Sequence, residues 1–151
     1  MIFELLYSAK SDGDNRKAFH DRCDNKSPTV TIIQTQKNII FGGYTEIPWK
    51  SQGNAMFDKN AFCFSLTNNK KYIQNEGNHD SIYCNSNNGP WFGTCFFGIG
   101  YNKDNFCSDS SSNCLGYSGY NGGNSYKNYE INNNESSFIC KEVEVFEIKY
   151  F

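Results

Sequence analysis

The sequence predicts a mixed α and β domain, and three observations carry that prediction. The first is a succession of β-prone runs: Thr29-Val30-Thr31-Ile32-Ile33-Gln34, Ile39-Ile40-Phe41-Gly42-Gly43-Tyr44-Thr45 and Ala61-Phe62-Cys63-Phe64-Ser65-Leu66-Thr67. Each is rich in β-branched or aromatic residues and bounded by Gly, Asn or Pro, the pattern of strands. The second is a closing run from Phe138 to Tyr150 in which Val143 and Val145 share one phase and Phe146, Ile148 and Tyr150 the other. The third is the near-helical spacing of Ala18, Phe19 and Cys23.

Taken in order, Leu5 and Leu6 lie in an opening element whose type the pattern leaves open. Ser11-Asp12-Gly13-Asp14 reads as a turn, with Ser11 and Asp14 spaced as in a capping box. A short amphipathic helix follows to about Cys23, where Asp24-Asn25 stops it. The strands at about 29–34, 39–45 and 61–67 come next, and Gln36-Lys37-Asn38 links the first two as in a hairpin. Residues 68–90 are polar and turn-rich, with weak strands near Tyr72-Ile73 and Ile82-Tyr83. Gly89-Pro90 opens a further strand from Trp91 to Ile99. Residues 102–137, dominated by Asn, Ser, Gly and Tyr, form a long irregular loop. In the closing strand the side-chain period of two breaks at 145–146, which predicts a β-bulge or burial of both faces there.

Composition removes several function classes. The 151 residues make one domain, long enough for a real core. With 14 basic and 16 acidic residues the net charge is −2, so nucleic acid and anionic lipid find no broad basic footprint. No apolar run approaches the roughly 18–20 residues of a membrane span, and the acidic opening Met1-Ile2-Phe3-Glu4-Leu5-Leu6 does not read as a signal peptide. Seven cysteines, odd in number and without a Cys-x-x-Cys pair, then read as reduced thiols of a cytoplasmic protein.

The residues that could carry chemistry fall short of a constellation. His20 is three positions before Cys23, but no basic cluster marks a cysteine that would be held as thiolate. Cys107 and Cys114 match no common zinc spacing, and Asp12-Gly13-Asp14 lacks the later glutamate of a calcium loop. Gly98-Ile99-Gly100 lacks the third glycine of a dinucleotide site. The residues therefore name no catalytic group, cofactor or metal. Glu142 and Glu144 fall on one face of the last strand, where solvated alternation is the ordinary reading and a pocket the other.

Several segments in fixed order resemble the TLDc family. They are Leu6-Tyr7 with Asp12-Gly13, Ala18-Phe19-His20 and Cys23-Asp24, then Phe41-Gly42-Gly43-Tyr44-Thr45 with Trp49, then Ala61 to Asn68. Gly89-Pro90-Trp91-Phe92-Gly93 and Glu142-Val143-Glu144-Val145-Phe146 complete the series, so the resemblance spans most of residues 1–151. Two departures stand out. Thr94, Cys95, Phe96 and Phe97 occupy the place where relatives continue with glycines and a His-Asp pair, and little chain precedes the domain, as in a minimal domain or an excised piece.

The resemblance implies an α+β fold, a two-sheet antiparallel β-sandwich flanked by short helices. It also implies a non-enzymatic protein-interaction domain linked to oxidative-stress protection or to regulation of the vacuolar proton-pumping ATPase, whose subunits would be the partners. Asp58 and Glu144, acidic positions beside family-like strand motifs, are the candidate partner-binding residues. The competing readings are a cysteine-based redox protein and a β-sandwich carbohydrate-binding module built on the Tyr/Asn/Gly-rich 101–129 segment.

Overall fold

Alternation decides most of the architecture. From Thr29 to Thr35 every second side chain is buried, so one face of this strand turns inward and the other outward. The computed structural model describes residues 1–77, 79–93, 97–100, 104, 106–107, 112–114 and 129–151. Its elements are β1 (Ile2–Ser8), α1 (Ala9–Asp12), α2 (Arg16–Cys23), β2 (Thr29–Thr35), β3 (Ile40–Thr45), β4 (Asn54–Met56), β5 (Phe62–Ser65) and β6 (Lys70–Ile73). After these come β7 (Ile82–Cys84), β8 (Trp91–Phe92), β9 (Phe97–Gly98), β10 (Ser112–Cys114), a 3₁₀ turn Glu130–Asn132, β11 (Ser137–Phe138) and β12 (Cys140–Lys149).

The strands form two six-stranded sheets, ordered β1-β12-β2-β3-β5-β6 and β11-β10-β9-β8-β7-β4. Every strand pairing is antiparallel. The result is an α+β sandwich with short helices, as the sequence and its resemblance imply. None of the described helices is long and apolar enough to cross a membrane.

Between the sheets runs a chain of aromatic rings in edge or stacked contact. It passes from Tyr7 to Phe19 (5.8 Å between centroids), Trp49 (5.6 Å) and Phe92 (5.5 Å), then to Phe97 (5.2 Å), Phe41 (5.3 Å) and Phe138 (5.2 Å). Phe19 brings α2 into this core, and Ile131 brings the 3₁₀ turn. The second sheet approaches the first closely at Gly43. A Cβ there would lie 2.5–2.6 Å from three atoms of the Phe92 ring. Gly43→Ala is therefore expected to overpack the interface and destabilise by about 1–3 kcal/mol. Phe92→Leu in the same chain should recover part of the loss, which paired urea titrations of the single and double variants would measure.

Several local expectations are corrected. Ser11 does not cap a helix. Its N–H instead donates to the Ser8 hydroxyl (3.2 Å), and the cap of α2 is Asn15, whose Oδ1 accepts from the Ala18 N–H (2.8 Å). The opening element is a strand. The run Trp91–Ile99 is not one strand but the two short strands β8 and β9, which pair with each other through Trp91–Gly98 and Phe92–Phe97. Phe138 pairs in the second sheet while Cys140 begins β12 in the first, so the chain changes sheets at Ile139. The phase slip at 145–146 does coincide with a bulge, but the extra residue is Leu6 on β1, opposite Val145 and Phe146. Of residues 102–137 most lie outside the described residues, Gly116 to Tyr120 among them. Within that span the structure places β10 and the 3₁₀ turn.

Candidate functional site

β12 is an interior strand of the first sheet, and its phase sets the candidate site. Val143 and Val145 point into the core. Glu144 takes the opposite phase, paired with Ser8 of β1 and Ile32 of β2, and is half-buried on the outer face. Its neighbour Glu142 is fully engaged: Oε2 accepts from the Ser8 hydroxyl (2.8 Å), and Oε1 accepts from the N–H groups of Lys10 (3.1 Å) and Val143 (2.9 Å). Glu142 thus ties α1 to the sheet. The Glu144 carboxylate has no hydrogen-bond or ion-pair partner among the described residues. Burial first, and the Glu142 carboxylate second, raise its pKa above the ordinary 4.5.

That shift has a signed consequence. A carboxyl whose pKa is raised in the fold favours folding below its unfolded pKa and loses that contribution as pH rises through the folded value. Glu144→Gln is therefore expected to equal or exceed the parent in stability at neutral pH, by no more than about 0.5 kcal/mol for a group this exposed. The difference should close as the pH falls to the ordinary carboxylate range. Denaturant titrations at the two pH values measure it, and a glutamine variant weaker at neutral pH would reveal a hidden partner of the carboxylate.

Away from α1 the outer face turns apolar. Phe3, Val30, Ile32, Phe64, Leu66 and Phe146 line a shallow, open depression with no polar lining. The register explains it: Phe146 faces Val30, Ile32 faces Gly42, and Gly42 faces Phe64, all in the outward phase. Glycine at 42 lets the Phe64 ring lie down on the sheet, since a Cβ there would come within 2.8 Å of Cζ of that ring and 1.9 Å of the Thr31 carbonyl oxygen. Phe3 and Leu66 are 53% and 58% exposed, large values for apolar side chains sharing one surface. The buried apolar residues of the described helices, Ala9, Phe19, Cys23 and Ile131, all belong to the core between the sheets, so they do not cover this face.

Asp58 lies elsewhere and is buried, at 5% exposure. Its Oδ2 accepts from the Thr45 hydroxyl (2.8 Å) and the Glu46 N–H (2.6 Å), and its Oδ1 accepts from the Asn60 N–H (2.9 Å). Its backbone N–H donates to the Ser81 hydroxyl (2.8 Å). The carboxylate is therefore a brace that ties the end of β3 to the loop before β5, and the backbone N–H ties that loop to Ser81 just ahead of β7 in the second sheet. Glu144 and Asp58 do not form one site.

His20 does not pair with Cys23. Its Nε2–H donates to the carbonyls of Asn85 and Asn88 (both 2.9 Å), and Nδ1 lies 2.7 Å from Asp24 Oδ1. It locks α2 to the 85–88 turn. Asp24 in turn accepts from the Ser51 hydroxyl (2.5 Å). Burial raises the thiol pKa of Cys23, of Cys84 and of Cys107, the last to about 11, so these three are protonated at neutral pH. Asp12 and Asp14 accept from backbone N–H groups of Ser8 (2.9 Å) and Cys107 (3.3 Å). Among the described residues no group of three or more His, Cys, Asp or Glu could hold a metal ion. The side chains of Cys95 and Cys114 lie outside the described residues.

Comparison with known proteins bears on this arrangement. The family model described as the TLDc domain matches residues 2–149. A stretch of 64 residues, 42% of this chain, is 28% identical to the MTOR-associated protein MEAK7 of Danio rerio. That stretch is 14% of the relative's length, so this chain spans a small part of it.

Proposed function

Because the chain belongs to the TLDc domain family, we propose that it is a protein-interaction domain that catalyses no reaction and docks on a partner around Glu144. One observation carries the reading: a half-buried carboxylate without a partner among the described residues, beside an apolar face that no described helix covers. A fold that needed only its own stability would place a paired or solvated group there. The thiols of Cys23, Cys84 and Cys107, held protonated, favour this reading over a peroxide-consuming cysteine.

The partner is the vacuolar proton-pumping ATPase, reached from the cytoplasm, and the setting is protection from oxidative stress. Both follow from the resemblance to TLDc proteins. The domain acts by binding one state of the pump more tightly than another, which shifts the equilibrium between them. A pull-down from cell lysate with the purified domain, beside Glu144→Lys, tests this. Recovery of ATPase subunits that the variant loses is the expected result. Equal recovery would keep the partner and discard the site, and recovery of no subunit would overturn the ATPase reading.

A further inference from the structure

We infer that the outer face of the first sheet is the seat of an amphipathic α-helix of a partner protein, with apolar side chains on Ile32, Phe64 and Phe146 and a lysine or arginine on Glu144. The inference rests on the docking reading above and specifies its chemistry.

The backbone fixes the kind of occupant. Apart from Phe3 on the edge strand β1, and Leu66 just past β5, the face is made by the interior strands β12, β2 and β5, whose N–H and C=O groups are already spent on neighbouring strands. An incoming segment can meet it only with side chains. A lone extended strand would bring unpaired peptide groups onto an apolar surface, at a cost for each. A helix satisfies its own backbone and covers a sheet face as a second layer. Glu144 and Phe146 are two residues apart on one strand, about 7 Å, close to the spacing of successive helical turns. A basic side chain over Glu144 thus falls one turn from an apolar one over Phe146.

The charge fixes the rest. Glu144, registered opposite Ile32, is an acidic group at the border of the apolar depression, and an incoming cation would relieve both its burial and its repulsion by Glu142. Lys71, on the same face, already sits 4.2 Å from the Phe62 ring centroid. A second copy of this chain would meet Glu144 with Lys71 only by giving up that ring contact, and otherwise with apolar groups or another Glu144. Membrane surfaces are a poorer fit still, since amphipathic membrane binders carry several Lys and Arg around their apolar side, whereas this border sets Glu142 and Glu144 against Lys71, which lies over the Phe62 ring.

The test is a displayed library of helical peptides, selected in parallel on the wild-type domain and on Glu144→Lys. Far-ultraviolet circular dichroism and melting of each variant confirm the fold. The expected result is an apolar i, i+3/i+4, i+7 stripe with Lys or Arg at one fixed position for the wild type, and Asp or Glu at that position for the variant. The wild-type helix should weaken on the order of tenfold or more on Ile32→Ser, a loss from the apolar part of the contact, and on Glu144→Lys, which reverses the charge at its border. Selected peptides without charge inversion, or binding unaffected by Ile32→Ser, would overturn the inference. So would a dimer of the domain that Ile32→Ser dissolves, or retention on phosphatidylcholine–phosphatidylserine vesicles. Charge inversion without capture of ATPase subunits would leave the inference standing and remove that partner. Capture unaffected by Ile32→Ser would do the opposite.

Discussion

Trp49→Ala is expected to cost about 3–5 kcal/mol, the largest loss of any single change considered in this fold. Trp49 is completely buried. Its ring meets Phe19 of α2 at 5.6 Å and Phe92 of β8 at 5.5 Å, so it joins helix to second sheet. Its Nε1–H donates to the Thr29 hydroxyl at 3.1 Å, and its carbonyl accepts from the Asn25 N–H at 2.9 Å. Truncation opens a cavity among rings that cannot collapse far and leaves the Thr29 hydroxyl without its donor. The melting temperature should fall by roughly 10 °C or more. Trp49→Phe keeps most of the volume and loses the N–H, so its cost should be about a third as large. A loss below about 1 kcal/mol for the alanine variant would mean that helix and sheet close on some other group.

Asp58→Ala should follow, at about 3 kcal/mol. Removing the carboxylate strands three donors, the Thr45 hydroxyl and the N–H groups of Glu46 and Asn60, in a site shielded from water. Asp58→Asn retains one acceptor oxygen but turns an amide NH₂ toward the remaining donors, so it should lie between the parent and alanine. Equilibrium denaturation of the three chains measures the order. The result also governs how binding data are read. A partner lost on mutation of Asp58 would report unfolding of the brace, whereas a partner lost on mutation of Glu144 would report the surface.

What the sequence made legible follows from how distinct each signal is. β2, β3 and β5 were readable because β-branched and aromatic residues there sit between Gly, Asn and Pro. The opening strand was not, because Leu5, Leu6 and Tyr7 are apolar in both phases and the bulge at Leu6 breaks the alternation. Trp91 to Ile99 is apolar almost throughout, so the reversal between β8 and β9 had little to mark it beyond Gly93. Asp58 was picked out as an acidic position beside a family-like strand motif, which says nothing of its burial. Its turn with Asn60 two residues on was the available clue that a side chain of this type was serving the backbone. The apolar outer face also left a trace. Val30 and Ile32 fall in the outward phase, opposite to buried Ile33 and its threonine neighbours, so β2 carries apolar side chains on both faces, as strands covered on two sides do. Glu144 was picked out by its place in a family-like motif. Nothing in the linear pattern could show that it has no partner among the described residues while Glu142 has three.

The order of the first sheet carries a consequence for synthesis on the ribosome. β12 lies between β1 and β2, with Ile2 opposite Lys149 and Thr29 opposite Glu147. Among the described strands β1 therefore has nothing to pair with until residues 140–149 have emerged. Pairings across nearly the whole chain are slow to close, because a long loop must be ordered before any contact rewards it. In the interval β1 and β2 present unpaired edges and the apolar side chains Phe3, Val30 and Ile32 to whatever is nearby. Chaperone occupancy on this part of the nascent chain should accordingly persist until β12 has emerged, then drop in a single step.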